Sequence, residues 1–206
     1  HLDQLSIPSN AENIYDLAMA KRDDDVHHPV ADITAGHFDE NKRYRTRRAN
    51  GVGDYLIVLT VGGRGRLRRP GKGRLVEVGD LFVYEPGGYQ DYGTDATTGK
   101  WELRWAHFQP RPNWHTLLDW PIWWPGLRGV SLGDGDLFDD VARAFEDAQR
   151  FIRLPLPHHR ALASNALERA LLLADQANPN AARRQIDERV RRAMDYLCDR
   201  SEEHTS

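Results

Sequence analysis

The chain has 206 residues, of which 40% are hydrophobic and 29% are charged, and its formal net charge is -3. A chain of this length can fill one domain with an appendage, and this composition excludes a disordered or fibrous protein and a free-standing, strongly basic nucleic-acid binder. The single cysteine, Cys198, excludes an internal disulfide. Because we find no apolar run that could span a bilayer and no signal-peptide pattern, we expect a cytoplasmic protein.

Short runs of β-forming residues follow a polar N-terminal stretch. Residues 1–30 predict an arm or linker. Residues 31–125 predict a barrel or sandwich, because their strands are short, are separated by glycine-rich turns and have no helices between them. The predicted strands are 33–38, 55–61, 65–69, 75–78, 81–85 and 101–108. We interpret the glycine-rich residues 62–65 as a hairpin turn between two of them.

The apolar period changes from two to about 3.6 residues after a connector rich in tryptophan and proline at 114–125. Proline lacks an N–H and disfavours helix in the residue before it, so Pro179 should separate the last two helices. We assign 126–178 to helices, 179–199 to a linker helix and 200–206 to a tail foreign to the natural protein. The predicted helices are 137–152, 159–177 and 186–197.

The segment from Gly79 to Gly88 has the shape of a motif found in cupin jelly rolls. A Gly-Asp turn leads into a strand that ends in a Pro-Gly turn, where proline presets one dihedral angle and glycine supplies a positive one. In metal-dependent cupins a histidine follows this turn, at the position that Asp91 occupies here. The strand pair upstream contains no histidine. A transition-metal site needs three or four ligands, so we expect no metal at this position.

The other polar residues also match no catalytic pattern. His107 and His115 are isolated near the end of the barrel, and we interpret them as surface or hydrogen-bonded histidines. The chain lacks a Gly-x-Ser-x-Gly elbow, a phosphate-binding loop and a cysteine paired with a nearby histidine. We therefore expect no catalytic residues.

From about Arg48 to Pro121 the sequence resembles the N-terminal effector domain of AraC-type transcription regulators. The run from Tyr55 to Thr60, the Gly79-Asp80 turn and the later tryptophans keep the spacing of the family. The most specific part is the string Phe-Gln-Pro-Arg-Pro-Asn-Trp-His-Thr-Leu-Leu-Asp-Trp-Pro at 108–121. The resemblance implies a cupin-like jelly-roll barrel followed by a helical dimerisation segment.

The resemblance also assigns a ligand site in which three residues match the family. Arg48 falls on an arginine that hydrogen-bonds a sugar, Tyr92 on a pocket tyrosine and Trp105 on the tryptophan that stacks on the sugar ring. A sugar has apolar C–H faces and many hydroxyl groups, so an aromatic plate and a rigid polar fork suit it. Considered without the resemblance, Trp105 is a core tryptophan and Arg48 a solvated charge.

Two positions of the implied site depart from the arabinose-sensing members of the family. Leu103 replaces a histidine and Val52 replaces a methionine. Without the histidine, a ligand hydroxyl there would lack a partner, so the effector is arabinose held more weakly, another sugar or a deoxy sugar. Thr34 and Phe38 are the two candidates for a further contact from the first strand.

The helix at 159–177 has a possible dimer seam. Leu162, Asn165, Arg169 and Leu172 are spaced three, four and three residues apart, which is the spacing of a short coiled coil. A second apolar face consists of Leu167, Leu171 and Ala174. The resemblance places Asn165 and Leu172 in an antiparallel dimer interface. A monomeric helix that buries its apolar residues internally is the alternative.

These features together predict the ligand-sensing and dimerisation module of a regulator that needs no cofactor. The resemblance implies that a helix-turn-helix domain follows Asp199 and binds DNA, and that the N-terminal arm closes over the bound sugar. A cupin-fold enzyme that isomerises or oxidises sugars is one alternative, and a set of metal ligands would distinguish it. An oligomerisation module without a ligand is another, in which replacing Trp105 would change stability alone.

Overall fold

The computed structural model describes residues 33–181, 183, 184, 189, 190, 192, 194 and 196. The predicted arm at 1–30 and the predicted tail at 200–206 lie outside these residues. Only part of the last predicted helix, 186–197, is described. The described residues of that segment, Arg189, Val190, Arg192, Met194 and Tyr196, are helical as predicted.

All nine strands of the described chain precede the two long helices. A short helix lies between the seventh and eighth strands, and a 3-10 turn at Asp175–Ala177 extends the last long helix. The elements are β1 (Ile33–Asn41), β2 (Arg45–Arg48), β3 (Tyr55–Arg69), β4 (Lys72–Glu77), β5 (Asp80–Tyr84), β6 (Gln90–Thr94), β7 (Lys100–Phe108), α1 (Trp114–Leu117), β8 (Ile122–Trp124), β9 (Leu127–Ser131), α2 (Asp136–Arg153) and α3 (His159–Ala174).

The strands form two antiparallel sheets that share β3. The main sheet has the order β1-β7-β3-β5-β9-β8. In the second sheet β6 pairs with both β2 and β3, and β4 pairs with the other edge of β3. The fold is therefore a cupin-like β fold with helices, as the sequence predicted.

The predicted hairpin at 62–65 is wrong, because β3 runs from Tyr55 to Arg69 without a turn. Its register against β7 shifts between Thr60 and Gly62, so Val61 is the extra residue of a bulge, and Gly62 and Gly63 follow it. Gly63 has a φ of +64°, and a Cβ atom there would lie 2.2 Å from the carbonyl oxygen of Lys100. Glycine lets the strand bend and leave the main sheet for the second sheet.

Four strands were not predicted, namely β2, β6, β8 and β9. Of these, β9 pairs with β5 and β8 pairs with β9, so the main sheet continues to Ser131, past the expected domain boundary at 125. These strands have only three to five residues each. Alternation over so few residues is too weak a signal to distinguish a strand from a loop.

The two faces of the main sheet belong to different cores. Alternate residues of β3, such as Ile57 and Leu59, pack with the helices, whereas Leu56 and Val58 pack inside the barrel. The side-chain period of a strand is two, which explains why neighbours separate in this way. The barrel interior is the second core, and it contains most residues of the implied ligand site.

The helices pack against the outer face of the main sheet. Leu167, Leu171 and Ala174 of α3 are fully buried there, which confirms the second apolar face of that helix. Asn178 leaves the helical conformation, with φ -85° and ψ 111°, and its Oδ1 accepts the N–H of Asn180. Asn178 therefore caps a new helix that starts at Pro179. In the described part of the chain, none of the α-helices has the length and hydropathy that crossing a bilayer requires.

We predict that Gly63→Ala destabilises the protein more than Gly71→Ala. Both glycines have a positive φ, but a Cβ atom meets backbone only at Gly63, since nothing lies within 4 Å at Gly71. The unfavourable dihedral angles alone should cost about 1 kcal/mol, and the added clash should raise the cost at Gly63 to about 3 kcal/mol. Urea unfolding measures both values, and equal losses would contradict the role of the bulge.

Candidate ligand-binding site

Arg48 connects two strands of the second sheet inside the barrel. It lies opposite Gln90 in the pairing of β2 with β6. Its Nη1 atom donates to Oε1 of Gln90 at 3.1 Å and to the hydroxyl oxygen of Tyr92 at 3.3 Å. A rigid guanidinium group thus holds both side chains in place.

Arg45 and Asp91 lie on the opposite face of β2 and β6 from Arg48 and form a separate ion pair. Asp91 lies between Gln90 and Tyr92, and its carboxylate accepts two hydrogen bonds from Arg45, at 3.0 and 2.8 Å. Burial of Asp91 is nearly complete, at 4% exposure. The position where the sequence pattern of metal-dependent cupins has a histidine is therefore occupied here by a carboxylate in an ion pair.

Trp105 of β7 lies against the backbone of β1. Gly36 is its partner in the register, and a Cβ atom on Gly36 would lie 2.5 Å from Cζ2 of the indole. The ring of Phe38, also on β1, lies 5.4 Å from that of Trp105. Leu103 is opposite Phe38 and is buried in the same core. Phe38, Leu103 and Trp105 therefore form one apolar wall of the barrel interior.

Tyr44 joins the polar part of the site to this apolar wall. Its ring centroid lies 6.1 Å from that of Phe38 and 6.3 Å from that of Tyr92. Tyr44 lies in the turn between β1 and β2 and was not among the site residues predicted from the sequence. Its aromatic character inside a polar, charged segment was the only available signal.

Several buried polar atoms of the barrel interior have no hydrogen-bond partner among the described residues. They include Nε2 of Gln90, the hydroxyl oxygen of Tyr84 and Nε1 of Trp105. Burial also raises the pKa of the Tyr84 phenol well above its ordinary value. A buried donor without a partner costs about 1–3 kcal/mol, so a ligand with oxygen acceptors would gain by satisfying these groups.

Two expected contacts lie apart from this cluster. Val52 follows β2, and its carbonyl oxygen accepts the N–H of Gly87 at 2.8 Å. Thr34 lies opposite His107 on the pair β1 and β7. Neither is part of the barrel-interior core, so the contacts of this core favour Phe38 over Thr34.

The histidines of the barrel bind carboxylates. Nδ1 of His107 and Oδ1 of Asp54 are 2.9 Å apart, and Nε2 of His37 and Oε1 of Glu102 are separated by the same distance. His115 contacts the ring edge of Tyr55. Over the ranges that the structure describes, no three His, Cys, Asp or Glu side chains form a group that could hold a metal ion.

A cupin-like barrel with a half-buried arginine and unsatisfied donors is the architecture of a small-molecule-binding domain. The model of the AraC-like ligand binding domain matches residues 33–194. The chain belongs to this family.

Two transcription regulators are similar to the chain in sequence. The chain is 28% identical over 179 residues to the arabinose operon regulatory protein of Escherichia coli, covering 84% of this chain and 59% of that protein. It is 27% identical to the protein of the same name from Salmonella typhimurium, covering 84% of this chain and 61% of that one. The chain thus spans about three fifths of the length of these relatives. These matches support a ligand-sensing domain of a regulator.

Solved structures include two more distant likenesses. Apo ToxT from Vibrio cholerae has a TM-score of 0.47 and 8% identity, covering 70% of this chain and 54% of ToxT. A cupin 2 conserved barrel domain protein from Salinispora arenicola has a TM-score of 0.33 and 16% identity, covering 43% of this chain and 73% of that one.

We predict opposite effects of removing the two neighbouring tyrosine hydroxyl groups when no ligand is present. Tyr84→Phe should stabilise the protein by about 1 kcal/mol, because it removes a buried hydroxyl without a partner. Tyr92→Phe should destabilise it by about 1 kcal/mol, because its hydroxyl accepts from Arg48. Urea unfolding of both variants is the measurement, and a loss of stability in Tyr84→Phe would contradict the assignment.

Proposed function

We propose that the barrel interior binds a neutral sugar and that the chain is the sensing part of a sugar-responsive transcription regulator. The observation that carries this proposal is the position of Arg48 and the unsatisfied Gln90 amide beside an aromatic wall. A sugar offers hydroxyl oxygens to such donors and C–H groups to such a wall.

Each residue has a distinct role in this proposal. Both hydrogen bonds of Arg48 use Nη1, so its remaining N–H groups would donate to sugar hydroxyls. The Gln90 amide and the Trp105 indole N–H would donate to others, and the Trp105 ring would cover an apolar face of the sugar. These groups are preorganised, because Arg48 already holds Gln90 and Tyr92 in place.

The apolar residue at position 103 narrows the choice of sugar. Leu103 is 1% exposed and cannot accept or donate a hydrogen bond. A sugar hydroxyl facing it would lose its hydrogen bonds to water without gaining a partner. We therefore propose a sugar that presents a C–H group at this point, either a deoxy sugar or arabinose in a different orientation. The names of the curated relatives make arabinose the first compound to test.

In the complete regulator the bound sugar would change how a DNA-binding domain acts. The helix that starts at Pro179 leads toward the segment where such a domain would follow. A sugar can shift a regulator between two arrangements only if it binds one arrangement more tightly. We propose that the regulator acts in the cytoplasm and that its DNA-binding domain has the helix-turn-helix fold.

The exposed stripe of α3 supports dimerisation. Leu162 and Leu172 are 37% and 55% exposed, and Asn165 and Arg169 lie between them on the same face. Asn165 accepts a hydrogen bond from Arg111 at 3.1 Å within the same chain. We propose an antiparallel contact of two α3 helices in which the leucines supply the apolar area. Asn165 either keeps its hydrogen bond with Arg111 or exchanges it for one with the partner subunit.

Thermal unfolding in the presence of pentoses, hexoses and deoxy sugars tests the ligand class. A sugar at about 100 times its Kd should stabilise the protein by about 2.7 kcal/mol. Arg48→Gln should weaken binding about 10- to 100-fold, because hydrogen bonds from a charged donor contribute about 1.5–3 kcal/mol. Trp105→Leu should weaken it by about tenfold through loss of ring contact.

Arg47→Gln is the matched control, since Arg47 precedes Arg48 on β2 and its side chain is on the opposite face. It should leave sugar binding unchanged. If Trp105→Leu alters stability alone, the chain is an oligomerisation module without a ligand. If a folded protein responds to no sugar, the sugar class is wrong.

Leu172→Glu should weaken dimerisation by about tenfold or more, because it places a charge in the proposed apolar contact. The control is Leu156→Glu, which adds the same charge at an exposed leucine outside α3. Sedimentation equilibrium gives the dimer dissociation constant of each variant. Equal dimer dissociation constants for the two variants would show that the interface does not include this face of α3.

A further inference from the structure

A cleft of about 420 Å³ opens where the edges of the two sheets meet. On one side is β4, an edge strand of the second sheet, and on the other is β8, an edge strand of the main sheet. Side chains bridge this gap in place of backbone pairing, since Arg69 Nη1 donates to the carbonyl oxygen of Pro125 at 3.4 Å. The cleft is lined by Gly71, Lys72, Gly73, Arg74, Trp123 and Trp124.

The lining has two cations and no carboxylate. Lys72 and Arg74 are exposed, and within the described part of the chain neither forms an ion pair. Most arginines of the neighbouring strand β3 do have acidic partners; Arg64 and Arg66, for example, bind Asp95. The positive charge of the cleft is therefore uncompensated on a chain whose net charge is -3.

Two indole rings supply the other half of the lining. The guanidinium carbon of Arg74 lies 3.7 Å from the ring centroid of Trp123, in a cation–π contact. Trp123 also contacts Phe82, with 6.0 Å between centroids, which anchors it to the barrel core. Trp124 is 5% exposed, and its Nε1 atom has no hydrogen-bond partner among the described residues.

We propose that this cleft is a second ligand site, which binds a small carboxylic acid with a flat apolar face. The carboxylate would accept charge-assisted hydrogen bonds from Lys72 and Arg74, and the flat face would lie against Trp123 or against the guanidinium stacked on it. The volume is within the range of small-molecule sites. This site shares no residue with the Arg48 cluster, so it stands independently of the proposed sugar site.

Titration of the ¹⁵N-labelled protein with sodium galacturonate and with sodium benzoate tests this site. The chain has six tryptophans, and the variants Trp123→Phe and Trp124→Phe identify their indole N–H signals. We expect saturable shifts of these two signals with one acid or both, and no saturation with sodium chloride at equal ionic strength. Shifts that follow ionic strength alone, or none at all, would overturn the proposal.

Charge and ring variants separate this site from general electrostatics. The double variant Lys72→Gln and Arg74→Gln should weaken binding of the acid by about tenfold or more. Lys42→Gln with Arg43→Gln removes the same charge from another exposed turn and should have no effect. An equal loss in both pairs would overturn the site.

Trp123→Leu distinguishes the two kinds of acid. It should weaken benzoate more than galacturonate if the ligand is aromatic, and both to a similar extent if the ligand is a sugar acid. Unchanged affinity for both acids would show that Trp123 is not part of the binding site. Arg48→Gln should leave acid binding intact, so failure of the sugar site and failure of this site can be told apart.

Discussion

The bulge in β3 is the constraint on which the barrel depends. One strand can serve two sheets only if it bends sharply, and the bend falls at the bulge before Gly63, whose backbone conformation and close approach to Lys100 a side chain would obstruct. Trp101 braces the same point, because its Nε1 donates to Thr60 Oγ1 at 3.2 Å and its ring packs against Gly65. Without this bend β3 would continue in the main sheet, and β4 and β6 could not close the other side.

The bend also determines which residues meet inside the barrel. The second half of β3 pairs with β6, and β6 pairs with β2, so Arg48 and Tyr92 are brought over the interior face of the main sheet. There they join Phe38 and Trp105 through Tyr44. The outer face of the same sheet packs against α2 and α3. A single sheet thus contacts the proposed ligand on one face and the proposed dimer helix on the other.

This arrangement suggests how binding of the proposed sugar could affect the helices on the other face of the sheet. β3 and β7 contribute alternate residues to both cores, so a shift of Leu103 or Trp105 on the interior face would also displace Ala106 and Phe108 on the helix face. Packed cores have little free volume and transmit such displacements. The unsatisfied Gln90 and Tyr84 groups raise the free energy of the unliganded barrel. A ligand that supplies hydrogen-bond partners for them would therefore stabilise the barrel.

Sequence alone determined the order of strands before helices, because the apolar period changes from two to 3.6 along the chain. Family spacing then identified Arg48, Tyr92 and Trp105 as site candidates, and the structure places them in one aromatic and polar cluster. The hairpin at 62–65 failed because a glycine run satisfies the local rules for both a turn and a bulge, and only pairing with β7 chooses between them.

Tertiary structure decided the parts of the site that depend on distant segments. Tyr44 and Gln90 carry no local motif, and they matter because pairing of β2 with β6 places them beside Arg48 and Tyr92. The cleft of Lys72, Arg74 and Trp123 joins residues about 50 positions apart at two sheet edges. Local propensity can specify an element, but which edges and faces meet is fixed by chain closure and packing over the whole domain.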